Sequence, residues 1–182
     1  MPTNPWTLKT SRTAYENPWI RVDHQEVTTP AGTPGIYGRV HFKNHAIGIV
    51  PIDAEGFTYL VGQWRYVLNR YEWEIPEGGC PVGTDPLETA KRELREETGL
   101  LAKHWERVLD FDLSNSVTDE SGTVFVARGL VQGVDAQEDT EDITVRRVPL
   151  SEAIQMTLNG QIRDALSILG LQRVALLRAS GG

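Results

Sequence analysis

The segment from Asp85 to Gly99 constrains the fold of this chain most, because it marks both ends of a helix. Asp85 suits the N-cap position, Pro86 suits the first helical turn, and Glu88 completes a capping box. Gly99 stands where a helix commonly ends on a residue with a left-handed backbone conformation. The sequence therefore predicts a helix over residues 86–98.

Strand-like segments dominate the chain before this helix. Residues 1–18 carry Pro2, Pro5 and Pro18, and we expect them to form an irregular lead. Apolar and β-branched runs bounded by turn residues predict the strands. These lie at residues 19–27, 36–42, 46–52, 57–63, 73–75, 105–112, 123–131 and 143–148.

Two further helices are expected near the carboxyl end of the chain. Ser151 is placed to cap a helix that reaches Leu158, and a last helix is predicted over residues 162–178. Strands come first and helices are interspersed later. This order predicts an α/β (α+β) protein in which a mixed sheet packs between helices.

Composition narrows the partners and the compartment. The chain of 182 residues has a formal net charge of -7 and no basic stripe, so we predict no nucleic-acid polymer as a partner. Its one cysteine excludes an internal disulfide, and its start lacks a signal-peptide pattern, which favours a cytoplasmic location. No apolar run reaches the length that spans a bilayer, so no membrane partner is expected.

The predicted helix gathers carboxylates on one side. Apolar residues from Leu87 to Leu94 recur at spacings of three and four and form its buried stripe. At about 100° per residue, Glu93, Glu96 and Glu97 fall beside that stripe. Such like charges repel by about 0.2–0.5 kcal/mol per pair, and a divalent cation would reverse that cost. Oxygen ligands favour Mg²⁺, Mn²⁺ or Ca²⁺ over zinc; the alternative is a solvated helix with surface ion pairs.

Residues 78–100 resemble the signature of Nudix hydrolases. That signature is Gly, five residues, Glu, seven residues, and then Arg-Glu-aliphatic-any-Glu-Glu-any-Gly-aliphatic. Gly78 matches it, and so does every position of the run 92–100, whereas Thr84 stands in place of the first Glu. The resemblance implies a Nudix αβα sandwich with a mixed central sheet and an N-terminal antiparallel β-hairpin or sheet extension.

The resemblance also implies roles for the matched residues. Glu93, Glu96 and Glu97 would be catalytic metal ligands for Mg²⁺, with Mn²⁺ as a substitute, and Arg92 would orient their carboxylates. The metal would polarise the phosphoryl oxygens and lower the pKa of a bound water that attacks phosphorus. Thr84 puts the fine positioning of these groups in question more than the activity itself.

Two upstream segments resemble one branch of the family, the ADP-ribose and nucleoside diphosphate sugar pyrophosphatases. Residues 61–66 and 73–78 resemble their "RQ-aromatic-R-Y … WE-aliphatic-PAG" pattern, with Glu77 in place of the small residue. The backbone carbonyl of that residue often joins the metal site, so Glu77 is a candidate metal ligand. Arg65 is expected to bind the diphosphate, because a guanidinium fork matches phosphate oxygens, and Glu74 is a second substrate-binding candidate. The alternative for Arg65 is a surface arginine at a sheet edge.

An acidic run over residues 138–142 precedes the last predicted strand. Pyrophosphatases of this branch carry a loop glutamate in a similar run, where it acts as a metal ligand or a general base. We select Glu141 for both roles, with Glu138 and Asp139 as alternates. A solvated acidic turn is the other interpretation, and a glutamate of the helix remains an alternative base.

Three weaker candidates lie elsewhere in the chain. Trp19 is a candidate for stacking on the base of the substrate, although an aromatic in a hairpin more often belongs to the core. Ser116 and Glu120 occupy the place of a substrate loop in related enzymes, with an ordinary polar loop as the alternative. The resemblance also implies that residues 1–45 form an extension that builds a homodimer and covers the substrate, and that residues 46–182 form the hydrolase domain.

These inferences predict Mg²⁺-dependent hydrolysis of the pyrophosphate bond of a nucleoside diphosphate sugar, such as ADP-ribose or GDP-mannose. The products would be a nucleoside monophosphate and a sugar phosphate. One alternative is a Nudix-like sensor that binds an ADP-ribose-type ligand without turnover. Another keeps the chemistry but acts on nucleoside triphosphates or dinucleoside polyphosphates.

Overall fold

The structure of the protein is a computed structural model that describes residues 2–133 and 142–181. The chain divides into two compact units, and each is described by itself. Unit 1 contains Met1–His45 and Asp112–Ser121, and unit 2 contains Ala46–Phe111 and Gly122–Gly182. A segment from the middle of the chain therefore belongs to the N-terminal unit.

Unit 1 is built on a three-stranded antiparallel sheet. Its strands are β1 (Thr7–Glu16), β2 (Ile20–Thr28) and β3 (Pro34–Phe42), in the order β1-β2-β3. The middle segment joins this sheet through Val40, whose backbone N–H donates to the carbonyl of Val117 at 2.9 Å. The predicted N-terminal β extension is thus present, with one strand more than a hairpin.

The prediction of an irregular lead over residues 1–18 is wrong, because most of that segment is β1. Pro5 precedes the strand and Pro18 follows it, so these prolines bound the strand without interrupting it. All ten residues of β1 are exposed. Because the strand has no buried face, its sequence shows no alternation of apolar and polar residues. Backbone pairing with β2, which a period-two pattern does not report, forms the strand.

The remaining strands follow in chain order. They are β4 (Asn44–Ile52), β5 (Phe57–Arg65), β6 (Arg70–Glu74), β7 (Glu77–Pro81), β8 (Leu100–Leu101), β9 (His104–Asp112), β10 (Ser121–Arg128), β11 (Val131–Gln132) and β12 (Thr144–Pro149). Seven of them form one sheet in the order β12-β5-β4-β10-β9, with β6 paired to β5 and β7 to β4. Strands β4 and β10 run parallel while β5 pairs antiparallel with its neighbours, so the sheet is mixed as predicted.

Helices cover both faces of this sheet. They are α1 (Pro86–Thr98), α2 (Leu150–Leu158) and α3 (Ala165–Ala179). Alternate residues of β4 point to opposite faces: Ile49 packs in one core cluster with Leu94 of α1, whereas Val50 packs in the other with Leu171 of α3. The predicted αβα arrangement is confirmed.

The second and third helices begin differently from the prediction. Ser151 does not cap α2, whose N-cap is Pro149 without a side-chain hydrogen bond. Helix α3 begins at Ala165 instead of residue 162, because Asp164 accepts a hydrogen bond from the backbone N–H of Ser167 and serves as its N-cap. Among the described residues, no helix is long and apolar enough to cross a lipid bilayer.

Candidate active site

Helix α1 is held at both ends as the sequence predicts. The carboxylate of Asp85 accepts a hydrogen bond from the backbone N–H of Leu87 at 2.9 Å. Gly99 ends the helix with φ of 70°, a left-handed conformation that glycine adopts without strain. Between these caps, Glu93 and Glu97 are 9% and 5% exposed, and both therefore lie in the buried part of the helix.

Strand β7 brings its backbone against these two carboxylates. The backbone N–H of Glu77 donates to Glu97 Oε2 at 2.9 Å. A Cβ atom added to Gly78 would lie 2.1 Å from the carboxyl carbon of Glu93, so a side chain at this position would displace that group. Residues 77–81 before α1 thus form a strand, and Gly78 allows close approach to a carboxylate of the protein.

Arg92 supplies positive charge to the same carboxylates. Its Nη2 lies 2.5 Å from Glu93 Oε1, and its Nη1 lies 2.7 Å from Glu96 Oε2. Burial lowers the pKa of Arg92, but the charges of Glu93 and Glu96 outweigh that effect and raise the pKa above its ordinary value. Arg92 is therefore placed to orient two of the three glutamates.

A second cluster surrounds Arg65 at the end of β5. Its Nε lies 2.9 and 3.0 Å from the two oxygens of Glu74, and its Nη2 lies 2.5 Å from Glu74 Oε2 and 2.5 Å from Glu77 Oε1. Burial raises the pKa of Glu74 against the opposing effect of Arg65. For Arg65 itself, burial lowers the pKa, but the hydrogen bond to Glu74 and the charge of Glu77 raise it overall.

Glu77 is only half satisfied within this cluster. Its Oε2 is buried and has no hydrogen-bond partner within the part of the chain that the structure describes. Burial, reinforced by the negative charges of Asp164 and Glu74, raises the pKa of Glu77 well above its ordinary value. Glu77 therefore combines one ion-paired oxygen with one orphaned oxygen.

Asp164 is a candidate site residue that the sequence analysis missed. Oxygens of Glu74, Glu77 and Asp164 all lie within 4.8 Å of one another, the one such trio of potential metal-binding side chains among the described residues. The first turn of α3 is held beside this trio, because Ser167 Oγ accepts a hydrogen bond from the backbone N–H of Ile75 at 2.9 Å. The sequence signal for Asp164 is an aspartate at the N-cap of a helix. The prediction missed this signal because it started the last helix at residue 162.

The candidates in unit 1 have different surroundings. Trp19 is 66% exposed, so the alternative of a core position is wrong. The backbone carbonyl of Ser116 accepts a hydrogen bond from the hydroxyl of Tyr37, and the carbonyl of Glu120 accepts from the N–H of Leu113 at 2.9 Å. These bonds order the 112–121 segment, while the proposed substrate contacts of these residues stay predictions.

The predicted general base and its alternates, Glu141, Glu138 and Asp139, lie outside the described residues. The structure brings the other predicted residues of unit 2 into two adjoining groups. One contains Arg92 with Glu93, Glu96 and Glu97, and the other contains Arg65, Glu74 and Glu77. The backbone of Glu77 links the groups through its hydrogen bond to Glu97.

Comparison with known families matches almost the whole chain in two parts. Residues 43–167 match the NUDIX domain. Residues 6–40 match the nucleoside diphosphate sugar hydrolase N-terminal domain.

Individual relatives span similar lengths. An ADP-ribose pyrophosphatase of Mycobacterium tuberculosis is 35% identical over 170 residues, which cover 90% of this chain and 80% of that protein. A methanol dehydrogenase activator of Bacillus methanolicus is 32% identical over 95% of this chain and 94% of its own. A crystal structure of an ADP compounds hydrolase has a TM-score of 0.88 over 100% of this chain and 98% of that chain at 21% identity, which confirms the predicted fold.

Proposed function

Because this chain belongs to the Nudix hydrolase family, we propose that it hydrolyses the pyrophosphate bond of a nucleoside diphosphate sugar such as ADP-ribose or GDP-mannose. The products would be a nucleoside monophosphate and a sugar phosphate. The predicted family and enzyme class are confirmed by the matched domain. The observation that carries the proposal is the buried pair Glu93 and Glu97 against the backbone of β7, beside the Arg65 cluster.

The residues of α1 suit a divalent cation. Glu93, Glu96 and Glu97 offer only oxygen donors, which Mg²⁺ and Mn²⁺ prefer, and the backbone carbonyl of Glu77 is a further candidate ligand. When bound, the metal neutralises phosphate charge and lowers the pKa of water. Arg92 holds Glu93 and Glu96 in position, and the N–H of Glu77 holds Glu97.

The remaining roles follow the family resemblance. Arg65, with Glu74 behind it, contacts the diphosphate, and Glu141 takes the proton of the attacking water. Trp19, Ser116 and Glu120 contact the nucleoside or sugar. Single substitutions at each position, assayed for KM and kcat separately, distinguish substrate contacts from proton transfer.

The decisive experiment is a hydrolysis screen with Mg²⁺ over ADP-ribose, GDP-mannose, ADP-glucose and dATP, with the products identified. We expect nucleoside monophosphate and sugar phosphate from at least one sugar nucleotide, and loss of that activity in Glu97→Gln. Glu88→Gln is the matched control, because Glu88 lies on the same helix with an exposed side chain paired to Lys91. Pyrophosphate release from dATP alone would transfer the proposal to the nucleoside triphosphates.

We also propose that the protein is a cytoplasmic homodimer that uses residues 1–45 as its extension. Strand β1 is exposed along its whole length, and large apolar side chains including Trp6, Leu8 and Tyr15 are exposed on it or directly before it. Exposed apolar side chains on a sheet favour association with another protein surface. Sedimentation of the full chain should give twice the mass of one chain; a single-chain mass at assay concentration contradicts the dimer.

A sensor without turnover is the second candidate. It is favoured by Thr84 in place of the first glutamate of the signature and by the Bacillus methanolicus relative, whose name describes activation of another enzyme. Calorimetry with ADP-ribose and Mg²⁺, followed by product analysis of the same sample, separates the two functions. Binding with intact ligand after prolonged incubation supports the sensor. Conversion of ADP-ribose to a nucleoside monophosphate and a sugar phosphate supports the hydrolase.

A further inference from the structure

The guanidinium of Arg65 has little capacity left for a phosphate. Its Nε and Nη2 form one donor edge, and Glu74 occupies that edge with both oxygens. The second hydrogen of Nη2 is directed to Glu77 Oε1 at 2.5 Å. Within the described residues, Nη1 donates no hydrogen bond to a protein acceptor, so it is the nitrogen left for another ligand.

This arrangement matters because a guanidinium binds phosphate most strongly through two parallel N–H donors. The edge formed by Nη1 and Nη2 would supply such a pair, but Glu77 has taken the Nη2 donor. A phosphate arriving at Arg65 is therefore limited to Nη1, whose two N–H bonds diverge and cannot form that parallel pair. It also meets the carboxylate of Glu77, whose charge repels it.

We propose that Glu77 is a positioning residue that restrains Arg65 and shifts diphosphate binding from the guanidinium to bound cations. The inference rests on the proposed diphosphate substrate. It concerns the residue in which this chain departs from the small residue of the related pattern, so the restraint is a property of this side chain. A small residue at position 77 would leave the Nη1 and Nη2 donors of Arg65 free to bind phosphate as a pair.

The geometry also indicates that Glu77 is retained at a cost. Its Oε2 is buried without a hydrogen-bond partner among the described residues, and one carboxylate oxygen of Glu77 lies within 4.8 Å of oxygens of Glu74 and Asp164. An orphaned buried acceptor among like charges destabilises a fold. Removing the side chain should therefore leave the protein folded, with a thermal midpoint equal to or above that of the wild type.

The test is calorimetric binding of inorganic pyrophosphate, as the diphosphate probe, to the full chain at low ionic strength with a chelator present. Glu77→Ala should bind pyrophosphate about tenfold more tightly than the wild type, the order expected from one added charge-assisted hydrogen bond. With Mg²⁺ present the gain should shrink, because cations then carry part of the diphosphate charge. Glu77→Gln, which keeps the size and removes the charge, should recover part of the gain.

Two controls separate this restraint from a general change of charge. The first control is Glu72→Gln. Glu72 is also a buried carboxylate in this cavity, but it pairs with Arg70 and not with Arg65. This substitution should leave pyrophosphate affinity unchanged. Adding Arg65→Lys to Glu77→Ala keeps a positive partner for Glu74 but removes the fork, and it should abolish the gain.

Equal pyrophosphate affinity in the wild type and in folded Glu77→Ala would overturn the inference, as would a gain that persists with Lys at position 65. Binding of this probe needs no turnover, so the inference is tested even if no nucleoside diphosphate sugar is cleaved. Where a substrate is cleaved, Mg²⁺ is present, so Glu77→Ala should lower KM only by the smaller factor found for pyrophosphate with Mg²⁺, while kcat changes less.

Discussion

At the scale of single residues, the site depends on how closely backbone and carboxylate approach each other. Glu93 reaches the backbone of β7 only because Gly78 has no side chain, since an added Cβ would lie 2.1 Å from the carboxyl carbon. A contact that short forces one group to move. The buried carboxylate is the group that can rotate, so its position depends on the glycine.

Gly78→Ala should therefore lower activity far more than it lowers stability. We expect a fall in kcat of about 10²-fold, the order lost when a group at the reacting centre is displaced by about 1 Å. Measurement of kcat and of the free energy of unfolding by urea tests this directly. Gly38→Ala is the matched control, because a Cβ there meets no atom within 4 Å and activity should stay at the wild-type level.

The sequence predicts some of these residues and not others for a physical reason. Glu93 and Glu97 share one helix, so the helical period alone places them together. Arg65 and Glu77 are joined by a hydrogen bond across twelve positions of sequence, and Asp164 approaches them from a helix almost a hundred residues away. The first contact depends on how β5 and β7 are brought together, and the second depends on the placement of α3. Residue spacing encodes neither.

At the scale of elements, α1 and α2 differ in how they begin. Asp85 caps α1 through a 2.9 Å hydrogen bond to a backbone N–H. Helix α2 has Pro149 at its N-cap and no side-chain hydrogen bond, and Ser151 lies inside the helix. The same kind of sequence signal therefore corresponds to a working cap in one case and to none in the other.

Asp85→Ala should destabilise the protein by about 1 kcal/mol, the usual cost of losing an N-cap side chain. Ser151→Ala should change stability by less than about 0.5 kcal/mol, because no cap is lost. Urea unfolding of both variants against the wild type measures the difference. Equal destabilisation of the two would show that the capping assignment of either α1 or α2 is incorrect.

Whether the sequence predicts an element depends on where the stabilising contacts lie. Helix α1 carries its caps and its buried stripe within fifteen consecutive residues, and its limits were predicted to the residue. Strand β1 exposes every residue and is defined by hydrogen bonds to β2, so its own sequence offers no apolar pattern. Local signals thus specify α1, whereas β1 requires its neighbour.

At the scale of the whole molecule, unit 1 is assembled from two distant parts of the chain. Asp119 joins them, since its Oδ2 lies 2.5 Å from Arg39 Nη2 and 2.6 Å from His41 Nδ1. Its Oδ1 accepts from the backbone N–H of Phe42 at 2.9 Å. Burial raises the pKa of Asp119, but the hydrogen bonds from His41, Phe42 and Arg39 outweigh burial and lower it to about 2.

The lowered pKa gives this junction a defined dependence on pH. Because the pKa of the carboxyl group is lower in the folded chain than its ordinary value of 3.8, its stabilisation is complete above about pH 4 and is lost as pH falls towards 2. After allowance for a side chain that is 30% exposed, we expect a contribution of about 1–2 kcal/mol at pH 7. Asp119→Asn should lower the free energy of unfolding by that amount at pH 7, and the difference from the wild type should narrow towards pH 2. Urea titrations at pH 7, about 4 and about 2.5 measure the trend. If the difference in free energy of unfolding between Asp119→Asn and the wild type stays constant over this range, Asp119 does not stabilise the junction through its charge.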